Sequence, residues 1–579
     1  MYLFLLIMLN IILLPMPSFA EEDQPLERIV IKRGGGNRYS SFKGADSVYD
    51  ALNHSPGVDL RCRGSRGTQG DLSIRGSTYE QVLILIDGVR INDPQTGHHN
   101  LDIPLTPSDI ENITIIKRGA SSLHGAGALG GSVNIITKKP IKKTAALEMR
   151  CGEHALYEQA VSIENPGRDY FTTFSLEHSS SSGGRPNTDF EYATLSSLFG
   201  KEWDNHSLDG IFGYQKKDFG ADSFYSNLFP EEKEETRALF TKLGLSSSKG
   251  SSVMKNTAFL RKHEDTFWLR RHAPASFNRH TVYSYGISSS LDAPIKIGDI
   301  HLGADMTRDE INSTNLGKNT RLNEAGSVGF SCGAGERLSV NSSLRIDHYQ
   351  NWKNQNSSNI SMSYWIIRER LRLNSGFGRA FRVPSFTELY YSDAANIGNP
   401  DLKPEKSDSY TLGLESKNKH FNSWIEGFAR GTRNTIDWTR PSALDPWRAT
   451  NLGAVDFRGI ELGLEVKDAS LTYVYTEADR GPVNYLSKYA LDILKQQVLL
   501  NLENDIRGVS ISLRLSYNER KFGETYFTGD ISAGRPFKKS DCEIEPFIKI
   551  DNFTDTEYSE ISGVTQPGRW MSSGIKIKW

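Results

Sequence analysis

Alternation of apolar and polar side chains, sustained in short segments from Ile141 to Trp579, constrains this chain more than any other feature. In Ile511–Asn518 one face reads Ile511, Leu513, Leu515, Tyr517 and the other Ser512, Arg514, Ser516, Asn518. Successive side chains of a β-strand point to opposite faces, whereas a helix would scatter each set around its circumference. Ile460–Val466 and Tyr170–Glu177 repeat the pattern, and Ile575-Lys576-Ile577-Lys578-Trp579 carries it to an aromatic last residue. At roughly 20 residues per strand and connection, the region holds on the order of 20 strands. Alternation does not say which solvent each face meets, so a soluble β-sandwich or propeller stays open beside a membrane barrel.

Composition favours the barrel. Hydrophobic residues make up 37% of the 579 and the mean hydropathy is −0.47, too polar for a helical membrane bundle, yet 10% of residues are aromatic. A transmembrane barrel has this texture, because only alternate side chains face lipid and aromatic girdles mark both interfaces. The formal charge of −2, from 68 basic and 70 acidic residues, gives no electrostatic case for nucleic-acid binding. Cys62, Cys151, Cys332 and Cys542 are far apart and form no C-x-x-C pair, so neither a zinc cluster nor a disulfide framework is indicated.

The amino-terminal part is organised differently. Residues 1–20 read as a secretory signal: an apolar run, Tyr2–Leu14, then Pro15, Pro17 and Ser18-Phe19-Ala20. No Lys or Arg follows Met1, which leaves an uncleaved anchor or a misassigned start open. Beyond Ala20 no stretch of about 18 apolar residues occurs. Residues 21–43 are polar and flexible, with Gly34-Gly35-Gly36 and a β-prone island, Glu27-Arg28-Ile29-Val30-Ile31-Lys32. Residues 44–140 have the texture of a compact α+β domain. A short helix is expected near Asp46–Asn53, starting at Asp46 and ended by Ser55-Pro56-Gly57. Val82–Ile86 is a continuous apolar run expected to be buried on both faces, and Ile113–Lys117 and Val133–Thr137 are further strands.

Gly125-Ala126-Gly127-Ala128-Leu129-Gly130 fits the dinucleotide fingerprint. A nucleotide site requires the last glycine to open a helix whose amides meet the pyrophosphate. Here Gly130-Gly131 lead into Ser132-Val133-Asn134-Ile135-Ile136-Thr137, a strand pattern, so the glycines are expected to serve tight turns and close packing instead.

Six ordered blocks in this domain resemble the plug of TonB-dependent receptors: Pro56-Gly57-Val58, Leu72–Gly76, Val82–Val89, Ile110–Gly119, Ser121–Gly125 and Gly130–Thr137. Phe381–Tyr390, Gly398–Glu405, Asp551-Asn552-Phe553, Tyr558, Pro567-Gly568-Arg569 and Trp579 resemble the family's barrel and C-terminal assembly signatures, the cobalamin-receptor branch being nearest. The resemblance implies a 22-stranded antiparallel transmembrane β-barrel over 141–579, with the α+β domain, 44–140, as a plug in its lumen. It implies an outer-membrane location in a Gram-negative (diderm) bacterium, surrounded by lipid and lipopolysaccharide and inserted by the barrel assembly machinery. It also implies energy coupling through TonB with its ExbB-ExbD inner-membrane complex. The island Glu27, Arg28, Ile29, Val30, Ile31, Lys32 sits where the family has its TonB box, although a first plug strand is the alternative.

Site residues follow from the same resemblance. Arg75, Asp87, Arg90 and Arg118 are candidates for hydrated plug–barrel pairs, and Arg75, Asp87 and Arg118 alternatively for pinning the plug's own backbone. Arg63, Arg66 and Gln69 in one apical loop, Asn92, Asp93, Gln95, His98 and His99 in another, and Phe224 and Tyr225 in a barrel loop are candidates for ligand contact. The adjacent histidines suit a metal complex or a solvated loop, and one ion is not expected to hold both, since neighbouring side chains diverge in an extended chain. Asp189, Asp218 and Asp222 are oxygen donors of a kind that can bind calcium, or plain loop carboxylates; no cofactor is otherwise expected. The leading function is uptake of a bulky, scarce corrinoid. A ferric siderophore or haem is the alternative cargo, and a passive porin or an NAD-binding enzyme the alternatives of other classes.

Overall fold

The computed structural model describes residues 28–32, 46–225, 228–273, 277–481 and 484–579. The signal segment, Glu27 and Gly34–Gly36 lie outside them. No helix among the described residues is long and apolar enough to cross a membrane.

Strands from Thr144–Gly152 to Trp570–Lys578 pair antiparallel with their sequence neighbours, and the last pairs with the first, closing a barrel of 22 strands. Short turns such as 204–205 and 250–251 join strands at one end; long connections, 221–232, 383–404, 434–454 and 480–493, stand at the other. The alternation is resolved in an inverted sense. Along Glu405–Lys417, Glu405, Ser407, Ser409, Thr411 and Glu415 are buried in the lumen, whereas Tyr410, Leu412 and Leu414 are exposed outside. Ile511–Asn518 does the same, with Arg514, Ser516 and Asn518 inward. Polar inside and apolar outside is what lipid demands and what a soluble sandwich cannot tolerate, so the soluble alternative is overturned.

The plug lies in the lumen. Its strands are β1 (Arg28–Lys32), β2 (Val58–Cys62), β3 (Gly70–Ile74), β4 (Val82–Ile86), β5 (Val89–Arg90), β6 (Ile110–Ile116) and β7 (Gly131–Thr137). β2 and β3 form a hairpin, and the remainder make one sheet in the order β1-β6-β7-β4-β5. All five residues of β4 are buried: Val82, Ile84 and Ile86 enter the main plug core, while Leu83 and Leu85 pack with Ala120 and Ala128 on the opposite face. β1 is the edge strand, paired on β6 from Arg28↔Ile116 to Lys32↔Asn112. The helix α1 is Val48–Asn53, and its cap is Ser47, whose hydroxyl accepts from the Asp50 amide at 3.1 Å; Asp46, the expected start, instead meets Arg150 and Lys549 of the barrel.

The glycine run is not a nucleotide loop. β7 follows it directly and runs parallel to β4, and a Cβ on Gly131 would collide with the Ile116 carbonyl, which explains the glycine there by close strand packing. A second close approach joins plug to barrel, where a Cβ on Gly378 would lie 2.5 Å from the Gly119 carbonyl.

The inverted pattern has a measurable consequence. Leu412→Arg, in the middle of its strand, is expected to cost about 2–4 kcal/mol in reversible unfolding from lipid vesicles, as arginine does near a bilayer midplane. Equal tolerance of Leu412→Arg and Leu412→Ile would show that this face does not meet lipid.

Candidate functional site

Because the lumen wall is polar, the plug is held by ion pairs and hydrogen bonds more than by apolar packing. The densest set surrounds Arg75, which ends the β3 segment in a left-handed conformation, φ 48°. Its guanidinium bonds Glu426 and, at 3.0 Å, Glu461, and lies 4.3 Å over the Phe428 ring. Lys117, just beyond β6, donates to Glu461 Oε2 at 2.6 Å, and Arg430 donates to the Arg75 carbonyl at 3.0 Å. Two plug cations thus meet two barrel carboxylates, all four buried. Both roles expected of Arg75 coexist, since it also donates to the Lys117 carbonyl at 3.4 Å and its amide bonds the Gly57 carbonyl. Asp87 is similar: it accepts from the Thr137 amide and hydroxyl at 2.8 and 2.7 Å and faces Lys242 of the barrel at 3.3 Å. Arg118 reaches the Ile360 carbonyl at 3.4 Å, and Arg90 is half-buried on β5.

A second contact group forms around the end of α1. His54 Nδ1 lies 3.3 Å from Asp50, and its Nε2 lies 3.1 Å from Asp530 of the barrel. Burial alone would depress the imidazole, but its hydrogen bonds to these two carboxylates lift it to about 9.

At the end bearing the long loops, the apical plug segments are less open than expected. Arg63 is buried, paired with Asp71 at 2.9 Å and bonded to the Phe224 carbonyl. Arg66 faces Glu158 and Asp551 and lies 5.7 Å over Trp570. Gln69 donates to the Tyr225 hydroxyl at 2.8 Å. Phe224 is buried, in a cluster with Phe190 and Phe219. Asn92 accepts from the Ile84 amide and donates to the Val82 carbonyl, fixing β4. Asp93 pairs with Arg261 at 2.8 Å, and Gln95 reaches Asp265 at 3.3 Å. Asp93 and Gln95 therefore hold plug to wall, while Asn92 braces the plug itself; their side chains find barrel or plug partners instead of the loop exterior.

The two histidines diverge. His98 bonds Asp71 at 2.6 Å and stacks on Tyr79 with ring centroids 4.3 Å apart, with Tyr225 and Tyr489 edge-on at 5.9 and 6.3 Å. Burial pushes its imidazole down to about 4 against the pull of Asp71, so it is neutral in this aromatic ring set. His99 turns to the wall, where Asp265, Glu234 and Asp102 lie at 3.5, 3.7 and 3.7 Å. Against the effect of burial, the adjacent carboxylates of Asp265 and Glu234 raise it to about 10. Asp189, Asp218 and Asp222 are each taken by a separate cation: Arg271 at 2.5 Å, Lys233 at 2.9 Å and Arg185 at 3.5 Å.

Tyr79, Asp71 and Tyr489 at the apex, and Lys117, Glu426 and Glu461 around Arg75, carry no local motif that singles them out. Glu426 and Glu461 do carry a signal, being carboxylates in the inward phase of alternating strands, but their plug partners are more than 300 residues away in sequence.

A lipid-facing barrel closed by a polar-seated plug, with aromatic side chains gathered where the plug meets the long loops, defines a plugged outer-membrane receptor. Two family descriptions match accordingly: "TonB-dependent Receptor Plug Domain" over residues 39–132 and "TonB dependent receptor-like, beta-barrel" over residues 155–557. The chain belongs to the TonB-dependent receptor family. It is an outer-membrane transporter of a Gram-negative bacterium and not an enzyme. Among curated relatives, a vitamin B12 transporter of Vibrio cholerae is 24% identical, covering 94% of each chain, and one of Photobacterium profundum is 25% identical, covering 78% of this chain and 77% of the relative. Among solved structures, the copper transporter OprC superposes with a TM-score of 0.81 at 14% identity, covering 97% of this chain and all of that one. The siderophore receptor PirA of Pseudomonas aeruginosa does so at 0.76 and 16%, covering 96% of this chain and all of that one.

Two outcomes test the seating. Glu461→Ala strands Lys117 and leaves Arg75 with Glu426 alone, and breaking a buried pair costs about 3–5 kcal/mol; channel current in planar bilayers is expected to appear at lower urea than for the wild type. For His54, whose pKa is raised on folding, the stabilisation is present in full below about 6.5 and is lost as pH rises through about 9. Hydrogen exchange of α1 is expected to accelerate across that window, and His54→Gln to remove the dependence.

Proposed function

We propose that the chain binds a corrinoid at the cell surface and imports it with work delivered by TonB. The single observation that carries the cargo is the character of the apex. Arg63 and Arg66 are neutralised by Asp71, Glu158 and Asp551, while Tyr79, Tyr225, Tyr489 and neutral His98 form the ring cluster above the plug. Such a surface suits a bulky amphipathic ligand with little net charge better than an anionic chelate, for which unpaired cations would be expected. The relatives described as vitamin B12 transporters support the same cargo. One observation favours a ferric siderophore instead: at the rim, Arg440 and Lys488 lie 4.2 and 5.9 Å over the Trp447 ring.

An outer membrane holds no ATP, so accumulation needs force transmitted through the plug. The segment Glu27–Lys32 is the proposed handle. As an edge strand, β1 exposes one row of backbone groups to a partner strand, and such addition relies on main-chain hydrogen bonds. ExbB-ExbD would energise TonB from the inner membrane.

Cells carrying the full chain are expected to bind and accumulate labelled cobalamin in preference to haem or ferric siderophores. Deleting Glu27–Lys32 is expected to abolish accumulation while surface binding persists. Preference for a ferric chelate would overturn the cargo, and accumulation by the deletion variant would overturn the handle.

A further inference from the structure

Beneath Tyr225 lies a buried polar pocket that neither uptake nor plug seating fully explains. It joins the plug loop of His99 to the barrel strands Lys233–Lys249, which carries Glu234, and Ser252–Trp268, which carries Asp265. Three of its six carboxylate and imidazole groups are already engaged with a cation or with one another. Asp93 is paired with Arg261 at 2.8 Å, and Asp102 with Lys217 at 2.8 Å; His263 spans both aspartates at 3.1 and 2.9 Å. Glu234 and Asp265 remain, with His99 as their shared neighbour and all three less than 6% exposed.

Their spacing is unlike that of a hydrogen-bonded set. His99 Nε2 stands 3.5 Å from Asp265 Oδ2 and 3.7 Å from Glu234 Oε1, beyond the ~2.7–3.2 Å of a good N–H···O bond. Ligands placed ~2.0–2.1 Å from a tetrahedral ion would lie roughly 3.4 Å apart, close to what is seen. The three ligating atoms all lie within 4.8 Å of one another.

A second observation points into the same space. His280 stands directly opposite Asp265 across the strand pair and is 4% exposed, and its Nδ1 has no hydrogen-bond partner among the described residues. Asp265 Oδ1 is likewise buried without one. An ion bound between them would satisfy both atoms. The outer contacts are those a metal site uses to orient its carboxylates: Tyr225 donates to Glu234 Oε2 at 3.0 Å, and Gln95 donates to Asp265 Oδ2 at 3.3 Å.

We propose that His99, Glu234 and Asp265, with His280 available as a fourth ligand, bind a divalent transition-metal ion of the Zn2+ class, clipping the plug to the wall below the ligand cup. Imidazole with carboxylate oxygens suits Zn2+, whereas the lack of sulfur disfavours Cu+. Two carboxylates and one imidazole nitrogen supply the charge and the lone pair that a divalent cation takes. The site does not depend on which cargo is imported, and its test needs no transport.

The full-length protein, refolded in detergent with Zn2+ and then desalted, is expected to retain one equivalent by mass spectrometry, and Co2+ in its place to give the intense visible band of a tetrahedral site. His99→Ala and Asp265→Asn are each expected to weaken retention at least tenfold, while His98→Ala keeps the ion; altered mobility of unheated samples in gels verifies folding. Folded wild-type protein that retains no metal would overturn the site, as would retention that survives both variants. Should neither variant fold, X-ray absorption of the wild-type Zn2+ form decides: imidazole and carboxylate ligands support the assignment, and a shell of water oxygens overturns it.

Discussion

A lumen bounded by 22 strands has to be closed by something that can also be moved, and its polar wall dictates how. Apolar plug surface finds only local partners there, among them Leu198, Ile211 and Phe240. The plug instead presents Arg75, Lys117, Asp59 and the acidic end of α1, and the wall answers with Glu426, Glu461, Arg520, Arg514 and Lys549. Ion pairs of this sort are directional, and each can be exchanged for water as a channel opens, whereas an apolar core of equal area would resist hydration. The same inversion that lets the barrel live in lipid therefore makes a displaceable stopper possible.

That wall also shapes the apex. Residues that a loop would ordinarily offer to solvent, Arg63, Asn92, Asp93 and Gln95, are drawn into contacts with plug strands and barrel, and what remains for a ligand is mostly ring faces. His98 and His99 show the division most clearly. One joins the tyrosines as a neutral ring, and the other enters a carboxylate cluster on the wall, because both lie on the 3-10 turn Gly97–His99, where consecutive side chains are about 120° apart, and not on the extended chain that the sequence suggested.

Much of this was legible in the residues themselves. The period of two from Ile141 onward required strands, the length and aromatic content fitted a membrane barrel, and the strand pattern after Gly130 argued against a nucleotide loop. The apolar run Val82–Ile86 required a strand covered on both faces. These are local properties, written by which side of the chain each residue occupies.

The direction of the faces and the partners of each charge were decided only by closure. Nothing near Glu461 in sequence identifies Lys117 or Arg75, and nothing near Asp265 identifies His99 or His280; these meetings depend on strand register around the whole barrel and on the rotation of the plug within it. Alternation is a one-dimensional property that a strand carries alone, but a contact across a lumen is fixed by every hydrogen-bonded neighbour between its two ends, and so belongs to the tertiary structure.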